Sequence, residues 1–161
     1  MNTADALEAS ALPCAGAVHT DDCDPLTAEL LPLPEALAKV PIDQKSAARW
    51  AYERLILYIQ NFEQRLDRKH EVAVGFTGGQ AGILRIEGLG YFDPDIVTFY
   101  GQDEEGVRTQ LIQHVSQLNV ILRAVALSKH HSEPRRIGFR LVEPTATQDT
   151  QPAKNPPTVS I

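Results

Sequence analysis

A chain of 161 residues, 43% hydrophobic and 22% charged, has room for one ordinary domain and enough apolar material for its core. No stretch approaches the ~20 apolar residues that cross a bilayer, which argues against a membrane-spanning protein. The net charge of −6 argues against a strongly basic nucleic-acid footprint.

That charge is unevenly spread. Residues 1–44 carry eight acidic side chains against Lys39, a net charge of −7, whereas residues 45–143 are nearly neutral at +1. Nine of the 11 prolines lie before residue 45 or after residue 143, where they penalise helix and sheet ladders. The expected organisation is an acidic, proline-rich flexible arm (1–45), a helix-plus-sheet domain (46–142) and a disordered C-terminal tail (143–161). The N-terminus has no basic start before an apolar run, and Cys14 and Cys23 lie in the least structured part, so a cytoplasmic, reducing location is expected.

Within the arm, Asp24-Pro25 offers a helix cap with proline at the first helical position. Leu30, Leu31, Leu33, Leu37, Val40 and Ile42 are more apolar than a pure linker needs, so the segment either stays part of the flexible arm or docks, on its own core or on a partner. From Ser46 the rhythm is helical. Ala48, Tyr52, Leu55, Ile59, Phe62 and Leu66 share one face. Asp43 or Ser46 is the expected cap, and Arg68, Lys69 and His70 suit the negative end of the dipole. Glu53, Arg54, Glu63, Arg65 and Asp67 fall mostly away from the apolar face.

After His70 the period becomes two. Val72, Val74 and Phe76 form one strand before a Gly78-Gly79 turn, and Gly82 to Glu87 forms the next, with Gly88 and Gly90 marking a bulge or bend. Asp93-Pro94-Asp95 is a turn, Ile96 to Tyr100 a strand, Gly101 to Gly106 a polar hairpin loop, and Val107 to Val115 a further strand. Residues 113–127 fit helical spacing as well as strands; β-branched Val120, Ile121 and Val125 favour a turn near Ser116-Gln117 followed by a strand over Asn119 to Ala126. Ile137 to Val142 reads as the last strand. The expected fold is α+β: an amphipathic helix packed on a small, strongly bent antiparallel sheet or barrel.

The stretches YFDPDIVTFYG (91–101), RTQLIQHVSQLNVIL (108–122) and EPRRIGFRL (133–141) resemble an uncharacterised bacterial family, a domain of unknown function that brings no activity with it. The helix before bent strands is also similar to the Sm-like barrel of the Hfq family. Gly82 and then Phe92-Asp93 resemble its first motif, and Gln113-His114 sit where that family carries a Lys-His pair contacting RNA. This resemblance implies a ring oligomer with His114, Gln113 and Phe92 near a nucleotide pocket. Gln113 in place of lysine, Gly88 one place off the spacing and Pro94 after the aspartate are departures from it.

Arg135 and Arg136, with Lys129, His130, His131 and Arg140, form the basic cluster. They either bind phosphate or pair with Asp103, Glu104 and Glu105. Tyr91, Phe92, Phe99 and Tyr100 offer a stacking platform or, by alternation, a half-buried core set. Cys14, His19 and Cys23 with Asp21, Asp22 and Asp24 lack the spacing of a zinc knuckle, and the glycines fit no phosphate loop. No serine elbow, core cysteine or bracketing carboxylate pair points to catalysis, so no catalytic residue, metal or cofactor is expected. The leading expectation is a non-enzymatic binding or assembly module that forms homo-oligomers. The alternatives are an RNA- or nucleotide-binding Sm-like ring and a protein-interaction adaptor using the arm.

Overall fold

The computed structural model describes residues 15–18, 20, 28–77 and 82–141. The expected disordered tail (143–161), the Asp24-Pro25 cap, the Cys14/His19/Cys23 group and the Gly78-Gly79 turn lie outside the described residues, whereas residues 28–45 of the expected flexible arm are described. Helix α1 (Ala47–Glu63) starts at Ser46, whose Oγ accepts from the Arg49 N–H at 3.1 Å and whose hydroxyl donates to Asp93. Ala48, Ile56 and Ile59 are buried, with Tyr52, Leu55 and Phe62 packed against the same core. The helix is shorter than its sequence pattern: it ends at Glu63, Leu66 falls in a turn, and His70 opens the first strand.

Two carboxylates overturn the expected polar face. Glu53 is only 1% exposed, because Lys45 Nζ at 2.6 Å and Arg49 Nε at 3.1 Å neutralise it where it is buried. Glu63 is buried because its two oxygens accept the N–H groups of Ile137 (2.9 Å) and Gly138 (3.0 Å). Those N–H groups begin a short helix, α2 (Ile137–Leu141), where a final strand is expected from sequence. Two donors at a helix start need an acceptor, and Glu63 supplies one from the neighbouring helix.

Strands β1 (His70–Phe76), β2 (Ile83–Phe92), β3 (Ile96–Gln102), β4 (Arg108–His114) and β5 (Val120–Ala126) form one antiparallel sheet in the order β4-β3-β2-β1-β5. The bulge expected near Gly88 lies between Ile86 and Gly88. A 3-10 turn over Val115–Gln117 joins β4 to β5, so residues 113–127 follow the strand reading. α1 lies across β1, β2 and β3, and Val72, Val74, Leu84, Ile86, Leu89, Val97 and Phe99 meet it as the core. The sheet does not close into a barrel. β5 pairs along all seven residues of β1, leaving it at one edge while β4 stands at the other.

Candidate functional site

The register decides which of the expected site residues meet. Phe92 pairs with Ile96 and Ile96 with His114, so Phe92 and His114 share one face across three strands. Gln113 is directly adjacent in sequence and therefore on the other face, opposite Val97, where its Nε2 is buried without a hydrogen-bond partner. His114 is occupied at both ring nitrogens. Nδ1 accepts from the Ser116 hydroxyl (2.7 Å) and N–H (3.1 Å), and Nε2 lies 3.0 Å from Asp95 Oδ2. With Gln117 Oε1 accepting the His114 N–H at 3.1 Å, the pair caps the 3-10 turn between β4 and β5.

The arginines do not pair with the 103–105 acids. The Arg135 N–H and Nη1 donate to Glu71 (3.3 Å) and Glu87 (3.0 Å), while Arg85 Nη1 holds the other Glu71 oxygen at 2.6 Å. The Arg136 fork donates to the carbonyls of His70 (3.0 Å), Asp67 (2.8 Å) and Leu66 (3.4 Å), clamping the turn that ends α1. Asp103 turns inward on its own hairpin, accepting the N–H groups of Glu105 and Val107 at 2.9 and 2.8 Å. A cleft of about 400 Å³ separates this tip from Lys129, His130 and His131.

The aromatic set divides by alternation. Phe99 is buried with its ring 5.0 Å from Phe76, and Tyr91 packs at 5.0 Å on Tyr52, while Phe92 (75%) and Tyr100 (44%) stay exposed. Burial also moves two acids. Glu63 is pushed above the usual carboxylate range by desolvation, against the pull of the Gly138 and Ile137 N–H groups and of Arg136. Tyr58 is raised by burial and then by its hydrogen bond to Glu29.

One cleft escaped sequence reading. Trp50, Arg54 and Tyr58 recur every four residues on α1, and residues 28–42 lie over them to enclose about 690 Å³. Arg54 Nη2 donates to the Ala28 carbonyl at 2.8 Å, the Tyr58 hydroxyl donates to Glu29 at 2.8 Å, and Lys45 Nζ reaches the Leu37 carbonyl at 3.3 Å. The apolar arm segment thus docks on its own domain from Ala28 onward. The four-residue recurrence was the available signal, hidden because it falls opposite the core stripe. Among the described residues there is no metal-ligating cluster and no helix long and apolar enough to cross a membrane.

A family model, "Family of unknown function (DUF6173)", matches residues 41–140. The chain belongs to this family. The DUF6173 region runs through α1, all five strands and the start of α2, and supplies Ile42, Trp50, Arg54 and Tyr58 to the cleft; Glu29 and Leu33 come from the segment before it. No curated protein and no solved structure matches the chain.

Proposed function

We propose that this DUF6173 protein is a non-enzymatic assembly module, forming homo-oligomers head to tail by pairing β4 of one copy with β5 of the next. The observation that carries the reading is an open sheet ended by two strands of equal length, seven residues each, each with one unpaired edge. Unpaired strand edges are templates for pairing, and nothing in β5 (VILRAVA) blunts it: no proline, no bulge, and Arg123 as its one charge. A two-fold pair of β5 strands centred on Arg123 would set like charges opposite and leave β4 unsatisfied. A heterologous contact uses both edges, giving a ring where the rotation closes and a filament where it does not. Glu53, Glu63, Glu71, Arg135 and Arg136 are each spent on separate internal contacts, which favours assembly over catalysis.

Light scattering after size exclusion tests this. The full chain is expected to run heavier than a dimer, and Ile121→Lys, which charges the β5 edge at a residue 40% exposed, is expected to yield monomer with an unchanged helix-and-sheet spectrum. A monomer at every concentration, a strict dimer, or an unaltered mass for the variant defeats the reading. The RNA-ring alternative has weaker support, since His114 and both arginines are engaged internally. Salt-dependent binding of short RNA that falls with Phe92→Ala would restore it.

A further inference from the structure

The cleft over α1 carries one cationic and one anionic side chain, Arg54 and Glu29. Its walls are mainly apolar and aromatic, including Trp50, Leu33, Ile42 and the ring of Tyr58. The two charged groups are not equivalent. Glu29 is tied to the Tyr58 hydroxyl at 2.8 Å. Arg54 lies 5.6 Å from the Tyr58 ring centre, donates to the Ala28 carbonyl and is a hydrogen-bond partner of the Tyr58 hydroxyl; among the described residues no carboxylate lies within ion-pair distance of it. A guanidinium has five N–H donors, so capacity remains for a further acceptor in this mainly apolar cleft. A volume of about 690 Å³ falls within the range of small-molecule sites.

We infer that this cleft binds a small amphipathic organic anion, an apolar body bearing one carboxylate or sulfonate, with the anionic group on Arg54 and the body against Trp50, Leu33 and Ile42. The site uses no residue of β4 or β5 and stands or falls apart from the proposed assembly. Residues 28–42 form one wall, so the ligand would also hold that segment on α1.

Trp50 is the single tryptophan of the chain, which makes its emission a local reporter. The probe is anilinonaphthalene sulfonate, added to the full-length protein and followed by energy transfer from Trp50, then displaced by dodecanoate, dodecanol or dodecylammonium. Dodecanoate is expected to displace it about tenfold or more better than the other two, the worth of one charge-assisted hydrogen bond. Arg54→Gln should erase that preference and Arg54→Lys should retain most of it. Saturable transfer with the anion preferred supports the site. No transfer, equal displacement by the three chains in the unaltered protein, or an anion preference that survives Arg54→Gln overturns it, and the comparison within the unaltered protein holds whether or not a variant folds.

Discussion

At the residue scale, two glycines of one sheet show how differently the same residue type is constrained. A Cβ on Gly101 would lie 2.1 Å from the Arg85 carbonyl oxygen and 3.0 Å from Leu84 Cγ, a backbone collision that side-chain rotation does not relieve. A Cβ on Gly88 would meet the Tyr100 ring at 3.5 Å, ordinary contact. Gly101→Ala is therefore expected to cost about 1–3 kcal/mol or more in urea unfolding, and Gly88→Ala to cost much less. Glu63 makes a prediction about pH. Its folded-state pKa is raised, so the folded protein holds the proton more tightly than the unfolded chain. Its contribution to stability is fully present below the ordinary carboxylate range and is lost as pH rises through the raised value. Unfolding midpoints measured from acid to neutral pH should carry this falling component, and Glu63→Gln should remove it. Asp67 acts in the opposite sense: its His70 hydrogen bond lowers its pKa, so its contribution is lost as pH falls through that lowered value.

At the element scale, the Asp93-Pro94-Asp95 turn is where the helix and sheet are joined. Ser46 donates to Asp93, the Ala48 N–H to the Pro94 carbonyl (3.1 Å) and the Val115 N–H to the Asp95 carbonyl (2.7 Å). Ser46→Ala removes both the helix cap and this tie, and a loss of about 1–2 kcal/mol in thermal or urea unfolding is expected. The other end of α1 depends on Arg136, whose fork spans three carbonyls. Arg136→Ala should destabilise by about 1–3 kcal/mol, and Arg136→Lys should rescue little, because an ammonium does not reproduce the planar fork. An arginine held for phosphate binding would instead show a stability close to unchanged in both variants.

At the scale of the whole molecule, residues 28–45 behave as a second layer over α1. Ala28 is buried, Leu37 packs on the core, and Lys45 is drawn under to Glu53. Deleting residues 1–44 is expected to lower the melting temperature and shift Trp50 emission to the red as the cleft opens to water. An unchanged melting temperature together with loss of a bound partner would favour the adaptor reading. The sheet meanwhile keeps one face under α1, whereas Ile112 (63%), on edge strand β4, and Phe92, at the end of central strand β2, lie on the other.

The change from a three-and-four to a two-residue rhythm near His70 is a local property, so the helix, the five strands and the turn between β4 and β5 were legible without coordinates. Apolar side chains announce burial because water rejects them wherever they stand. The buried glutamates were not legible, since a carboxylate enters a core only when partners arrive, and those of Glu63 come from residues 137 and 138, more than seventy positions away. The same contact turned Ile137–Leu141 from an expected strand into a helix, and Gly138 permits the close packing on Gln60. Which edges stay free and whether an apolar arm docks on its own domain depend on register and long-range packing. Those are energies of pairs of segments, and a single strip of sequence does not contain them.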